Sequence, residues 1–419
     1  MNTVTFIHTA DLHLGAPFRG LRNIVPAWQD ALLDAIPKAF RKIIDTAIAD
    51  KVDFVVFAGD VFDNSHPSYA DFSLFITGLT QLDAAGIHAY LVTGNHDPYI
   101  SWENSFAVLP KNTHVLGINK PTFACYERNG EPLALIGGRG YYTQSWPTTE
   151  DISEGISRGA AIAQTGKSAP FMVGVLHTGL DIDPTRSPVN PRELLLRDVD
   201  YWACGHIHMP RLYPSAEDPR IGFSGCPQGR DMKEEGEHGI FKITLTQNAP
   251  NKAEFIPTAR IAWKRLTLDI SDCATISDVQ ERIVEAEFDC NAQLHCQRMM
   301  FRVTLTGHTA LHEELTPEVL EDVRQVMNEG YPFFFVDALI NETLPMTDYA
   351  VLRQEGLFPA VYMNALDTCR DHKDETILEL EKQFYQRDLS LPNAVEQQFD
   401  ALCDEAQTLV LDLLGQDEQ

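Results

Sequence analysis

Five short apolar segments of this chain each run into residues that can bind a metal ion. "TVTFIH" is followed by Asp11 and His13, "DFVVFAG" by Asp60 and Asp63, and "HAYLVTG" by Asn95, His96 and Asp97. "FMVGVLH" ends on His177, and "DYWACGH" ends on His206 with His208 two residues later. Carboxylate, amide-oxygen and imidazole donors without a thiolate suit Mn, Fe, Zn or Mg and argue against a soft or structural zinc site. Seven of these residues, Asp11, His13, Asp60, Asn95, His177, His206 and His208, are the expected metal ligands, more than one ion needs. A carboxylate can bridge, so two divalent ions about 3.5–4 Å apart that share Asp60 accommodate the set. Gly59, Gly94 and Gly205 each precede a ligand and are expected to let the chain turn sharply there. A lone Asp-x-His or GDxxD is common by chance; the four motifs in this order, each behind an apolar segment, are not. His8, His66, His88, His114 and His238 lie off the pattern and are expected in structural or surface roles. His8, inside a strand, should hydrogen-bond in the core, and His66 is the one of the five near the cleft.

The elements that must position these side chains alternate up to about residue 265. Strands are expected at 3–8, 53–59, 88–94, 132–138, 171–177, 200–206, 220–225 and 239–245, with helices at 28–49 and 68–85 whose apolar residues recur at helical spacing. Alternation predicts an α/β core, and the later run of strands without long helices predicts a second sheet packed on the first, with helices outside. The ligand residues then fall at the carboxyl ends of strands, the edge at which open α/β sheets bind ligands. From residue 263 the order is strand (263–270), helix (277–288), strand (298–307), helix (316–329) and strand (332–340), a small α/β module. Beyond residue 345 the chain reads as helices broken at Leu391-Pro392. In the last, Val395, Phe399, Leu402, Ala406, Leu409 and Leu413 form an apolar stripe that either packs on the protein itself or meets a partner.

Bulk properties bound the answer. A chain of 419 residues exceeds one ordinary core. No apolar run reaches the ~18 residues of a membrane span and no signal-peptide pattern opens the chain, so a cytoplasmic protein is expected. The eight cysteines are scattered without a CxxC pair, which indicates free thiols in a reducing compartment. The net charge of -27 is uneven: residues 1–250 hold 28 acids and 20 bases, residues 251–419 hold 32 and 13. Such a balance argues against a surface that holds nucleic acid by counterion release.

Taken together, Asp11-x-His13, Gly59-Asp60-x-x-Asp63, Gly94-Asn95-His96-Asp97, His177 and Gly205-His206-x-His208 resemble the calcineurin-like metallophosphoesterases. "IHTADLHLG", "VDFVVFAGDVFDNSHPSYA" and "LVTGNHD" are similar to the SbcD-type DNA repair exonucleases, and "YWACGHIH" with "FSGCPQGRDMKEEGEHG" to their YhaO-like branch. The resemblance implies a four-layer α/β/β/α sandwich over residues 1–262 and a small α/β capping domain over 263–345; the C-terminal helices over 346–419 resemble no family and are where a partner's docking surface is to be sought. It implies one metal on Asp11, His13, Asp60 and His208 and another on Asp60, Asn95, His177 and His206, manganese being the usual ion. It also implies a metal-activated hydroxide attacking phosphorus, His96 as the catalytic histidine assisting the leaving group, and Asp63 orienting His96. The relatives of eukaryotes and archaea place a histidine where this chain has Asp63. An Asp63 carboxylate on the imidazole would raise its pKa and fix its tautomer. The implied partners are DNA, an SMC-like coiled-coil ATPase of the SbcC/YhaN type, and a second copy of the chain. Arg19, Arg22, Arg139, Arg211 and Arg230 are candidates for phosphate contacts, Arg139 and Arg230 foremost. The same core would equally serve a phosphodiesterase acting on cyclic nucleotides or other small phosphodiesters.

Overall fold

Apolar β-branched and aromatic runs of five to nine residues form the strands, and in the computed structural model of this chain they pair mostly in parallel. The structure describes residues 2–19, 21, 24, 26–102, 109–147, 149–294, 296–330, 333–346, 349–354, 358–387, 389–392 and 394–416. In chain order the elements begin β1 (Thr3–Thr9), α1 (Pro26–Ala49), β2 (Phe54–Ala58), α2 (Tyr69–Ala84), β3 (His88–Val92), α3 (Tyr99–Trp102) and β4 (Thr113–Val115). There follow β5 (Thr122–Arg128), β6 (Glu131–Arg139), α4 (Arg158–Thr165), β7 (Phe171–His177), α5 (Pro191–Leu196) and β8 (Tyr201–Gly205). Short β9 (Arg211–Tyr213) and β10 (Ile221–Phe223) lead to β11 (Gly239–Thr246), β12 (Lys252–Pro257) and β13 (Ile261–Asp269).

Two six-stranded sheets result, ordered β12-β11-β1-β2-β3-β4 and β5-β6-β7-β8-β10-β9. Their facing sides share one core: Phe6, Phe54, Val56 and Tyr90 from the first sheet meet Ile136, Val173, Val175 and Tyr201 from the second. The period of two sends alternate residues outward. Ile7, Val55, Phe57 and Leu91 pack under Phe40 and Ile44 of α1 and Phe75 and Leu79 of α2. On the far side Leu135, Met172 and Trp202 pack with Ala161 of α4 and Leu194 of α5. The expected four-layer α/β/β/α sandwich is the fold. β1, β2, β3 and β4 are mutually parallel, as are β6, β7, β8 and β10, so each sheet gathers carboxyl ends along one edge. Thr9 lies beside Phe57, and His177 beside Gly205.

The remaining elements are α6 (Ile276–Gln293), β14 (Arg298–Thr306), β15 (His308–Thr309), α7 (Pro317–Gly330), β16 (Phe334–Asn341) and β17 (Leu344–Pro345), then helices α8 (Tyr349–Gln354), α9 (Phe358–Asp371), α10 (Lys373–Tyr385), α11 (Ala394–Gln397) and α12 (Phe399–Gln416). The chain divides into two compact units: residues 1–267 with 280–304 and 320–340, and residues 268–279 with 305–319 and 341–419. In the first, Trp28 of α1 is buried with Ile261, Trp263, Met300 and Phe335. In the second, α12 packs on α9, where the Tyr362 hydroxyl donates to the Ala406 carbonyl at 3.0 Å. The stripe expected on α12 is only partly the buried face: Phe399 is buried, but Leu402 and Leu409 are exposed while Cys403 and Leu411 are buried instead. Among the described residues no helix is long and apolar enough to cross a membrane.

Candidate metal centre

The loops that leave β1 and β2 stay paired after the strands end. Asp11 donates its amide to the Gly59 carbonyl (3.0 Å), His13 to Asp60 (3.1 Å) and Leu14 to Val61 (2.9 Å). Pairing in this twisted path places Asp11, His13 and Asp60 at φ of 51°, 46° and 51°, and His206 at 98°, a region costly for residues with a Cβ. The expectation that the glycines take the turn therefore holds only for Gly59, at φ 94°; elsewhere the ligands themselves carry the left-handed conformation. Gly94 is needed for space, since a Cβ there would lie 2.0 Å from Asp60 Oδ1.

The buried floor of the site is made of Asp11, His13, Asp60, Asn95 and His177. His96, His206 and His208 stand half-buried around it. His177 Nδ1 meets the Ala58 carbonyl at 2.9 Å, and a carbonyl can only accept, so that nitrogen carries the proton. Its Nε2 then faces two acceptors, Asn95 Oδ1 at 3.1 Å and Asp60 Oδ2 at 3.3 Å. His13 and His208 repeat the pattern: their Nδ1 atoms meet Asp63 Oδ1 (3.2 Å) and Glu234 Oε1 (2.6 Å), and their Nε2 atoms point at each other across 3.2 Å. Ring nitrogens that face each other or face acceptor oxygens need a proton or a cation between them, and nitrogens held about 2.0–2.1 Å from one ion would stand roughly 2.9–3.4 Å apart. The donor set fits a metal pair on that ground. Asp11, His13 and His208 offer ligand atoms within 4.8 Å of one another, as do Asp11, Asp60 and His177. Asp11 is common to both groups; Asp60, the expected tether, belongs to the second.

The electrostatics follow from this crowding. Burial opposes charge on Asp60, but His177, His13 and His96 outweigh it and hold the carboxyl well below the usual range. Burial disfavours a charged His177, yet Asp60 beside it raises its pKa to about 9. His13 is lowered to about 4, chiefly by burial. Cys226 lies close to His208 and Glu234, but burial pushes its thiol far up and its Sγ contacts His238 Nδ1 at 3.2 Å, so it is no thiolate ligand.

Four placements differ from the sequence reading. Asp63 orients His96 through its backbone carbonyl, 2.8 Å from Nδ1, and not through its carboxylate, which His13 and Arg230 draw away. Arg230 meets Asp63 at 3.0 Å and Glu234 at 3.2 Å, so its guanidinium is engaged inside the site wall. Arg139 donates to the Asn119 carbonyl (3.0 Å) and lies over the Trp146 ring (4.6 Å). Arg22 falls outside the described residues. His206 belongs to neither ligand group; its Nε2 is 3.0 Å from Asp183 Oδ2 and its ring lies edge-on to His177. His8 hydrogen-bonds in the core to the Tyr201 hydroxyl and the Cys204 carbonyl, and His66 is exposed beside Ser65.

Sequence reasoning passed over Asp97, Asp183 and Glu234. Asp97, buried, accepts the amides of Val61 (2.9 Å), Phe62 (3.3 Å) and Gly94 (2.9 Å) and so ties the loops after β2 and β3. Its place in the GNHD motif was the available signal. Asp183 and Glu234 sat in acidic loop stretches with nothing to set them apart from solvated charge.

Residues 4–210 match the calcineurin-like phosphoesterase family, and residues 263–344 match the metallophosphoesterase YhaO middle domain. The chain carries a calcineurin-like phosphoesterase domain. The uncharacterized metallophosphoesterase YhaO of Bacillus subtilis is 29% identical over 280 residues, 66% of this chain and 66% of that protein. The DNA double-strand break repair protein Mre11 of Aeropyrum pernix is 25% identical over 66% of both chains, and that of Archaeoglobus fulgidus 26% identical over 55% of this chain and 51% of its own. The match thus spans between half and about two thirds of these relatives. A dimetal phosphatase of Danio rerio is a remote structural likeness, with TM-score 0.36 and 12% identity over 61% of this chain and 99% of its own. The matched segment, residues 4–210, contains Asp11, His13, Asp60, His177 and His208, whose ligand atoms converge as described above.

Proposed function

We propose that the chain hydrolyses phosphodiester bonds of DNA, as a nuclease using two Mn²⁺ ions, and that it works with an SMC-like coiled-coil ATPase. The observation that carries the reading is the convergence of the His13, His177 and His208 Nε2 atoms with Asp11, Asp60 and Asn95 beside a half-buried His96. In this reading Asp11, His13, Asp60 and His208 hold one ion, and Asp60, Asn95, His177 and His206 the other. When bound, such ions supply a water nucleophile at neutral pH and neutralise charge on the phosphoryl oxygens. The chain's own residues do the rest. His96 donates Nδ1–H to the Asp63 carbonyl, so in the doubly protonated ring Nε2–H is the proton passed to the departing oxygen, and the ring is left neutral with Nδ1–H in place. Its amide, donating to Asp60 Oδ1 at 2.9 Å, couples its position to that of the ligand. Support for DNA as substrate comes from the Mre11 relatives, whose names place them in double-strand break repair. Residues 263–345 would shape access as a capping domain, and 346–419 would dock the ATPase.

The net charge of -27 favours a second reading, hydrolysis of cyclic nucleotides or other small phosphodiesters. Purified protein with Mn²⁺, given end-labelled linear duplex, bis-p-nitrophenyl phosphate and cyclic nucleotides, separates the two. Shortening of the duplex supports the nuclease; turnover of the small esters alone removes it.

A further inference from the structure

The two halves of the metal centre are held from outside by different means. Around His177 and Asp60 the holding groups are backbone: the Ala58 carbonyl on His177 Nδ1 and the His96 amide on Asp60, each at 2.9 Å. Around His13 and His208 they are side chains from two distant stretches. Asp63 comes from the loop after β2; Glu234 and Arg230 come from the loop between β10 and β11. Glu234 Oε1 hydrogen-bonds His208 Nδ1 at 2.6 Å, and Asp63 Oδ1 stands 3.2 Å from His13 Nδ1, an ion-pair contact outside hydrogen-bond geometry. One guanidinium joins the two carboxylates, with Nη1 3.0 Å from Asp63 Oδ1 and Nη2 3.2 Å from Glu234 Oε1. The Arg230 amide also donates to Glu234 Oε2 at 2.6 Å, which closes the turn on itself. All three side chains are largely buried, at 11–14% exposure.

We propose that Arg230 is a positioning residue for one of the two metal sites, the one lined by His13 and His208; this rests on the dimetal reading above. Its planar fork sets the separation of Asp63 and Glu234, and each carboxylate in turn sets the ring angle of one histidine, so that both Nε2 atoms reach the same point. Among the described residues, the His177 half meets this clamp only at the Asp63 backbone, whose carbonyl lies 2.8 Å from His96 Nδ1. The consequence is selective: loss of Arg230 unsettles one site and spares the other. A charge argument predicts the opposite sign, because removing a cation beside a cation site strengthens metal binding when orientation is unimportant.

Mn²⁺ titration of the full chain by calorimetry, with electron paramagnetic resonance at each equivalent, decides between them. Wild type is expected to bind two ions and to show a spin-coupled spectrum. Arg230→Met should keep one site at wild-type affinity, weaken the other 10–100-fold and show an isolated-ion spectrum at one equivalent. Arg230→Lys, a point charge that can satisfy one carboxylate, should fall between, and it carries the comparison if Arg230→Met does not fold. His177→Ala should lose the other ion. Two sites of unchanged or tighter affinity in the Arg230 variants overturn the proposal, and so does equal weakening of both. Fewer than two ions in wild type fails the dimetal reading itself, and that is visible before any variant is tested.

Discussion

His96 has one nitrogen fixed and one available. The Asp63 carbonyl can only accept, so Nδ1 keeps its proton in every state and the chemistry falls to Nε2. A proton donor matters most when the leaving oxygen is a poor one. His96→Gln should therefore lower kcat on DNA, whose leaving group is an alkoxide, by roughly 10²–10⁴, and lower it less on bis-p-nitrophenyl phosphate, whose phenolate departs unprotonated. Mn²⁺ stoichiometry should be unchanged, because the link to Asp60 is the backbone amide. Parallel kcat and calorimetric measurements check this; an equal deficit on both substrates would mean that His96 is not the acid. At this scale the sequence was most informative about ligands, because each follows a strand whose end is visible as the end of an apolar run. It was least informative about what holds the ligands. Glu234 reaches His208 only because the chain folds back after β10, and the Asp63 carboxylate turns from His96 to His13 because Arg230 draws it there.

Elements with strong periodicity were legible: β1, β2, β3, β7, β8 and α2 lie within a residue or two of expectation. Elements whose burial depends on tertiary neighbours were not. β5 carries mostly half-buried residues, β9 and β12 are short or edge strands, and α9 shows its buried Ala360 and Met363 only against α12 and α10. α6 contains a conflict of the same kind. Ile283 and Glu287, four apart, share its buried face, next to the edge-on pair Phe288 and Phe334. Neither oxygen of Glu287 has a hydrogen-bond partner among the described residues, and burial raises its pKa to about 8. The unfolded carboxyl ionises near its ordinary 4.5. Between that value and pH 8 the unfolded chain releases a proton that the folded chain keeps, so stability falls as pH rises through this window and levels off above it. At about 1.4 kcal/mol per pKa unit, the interval from 4.5 to about 8 corresponds to a full loss of about 5 kcal/mol. Glu287→Met should raise the thermal midpoint by several degrees more at pH 9 than at pH 5, read by calorimetry of both proteins. A difference that does not change with pH would place a partner on Glu287.

Across the whole molecule the question is how a chain of net charge -27 meets a polyanion. A nuclease that grips phosphates with its own lysines and arginines loses affinity steeply as salt rises, since each contact releases a counterion. Here the two foremost cationic candidates are committed internally: Arg230 to Asp63 and Glu234, Arg139 to Asn119 and the Trp146 ring. The dominant long-range term between protein and duplex is then repulsion, and salt screens repulsion as readily as attraction, over about 10 Å at 0.1 M. If the chain acts on DNA alone, its kcat/KM on a linear duplex should rise as NaCl goes from about 20 to 150 mM, while that on bis-p-nitrophenyl phosphate, a small monoanion, should change far less. An added ATPase partner that supplies the phosphate contacts should invert the trend, because counterion release then dominates. Initial rates with Mn²⁺ held constant, for the chain with and without the partner, test both signs. A duplex rate that falls steeply with salt in the isolated chain would reveal a basic tract of its own, and the need for a partner to hold the DNA would disappear.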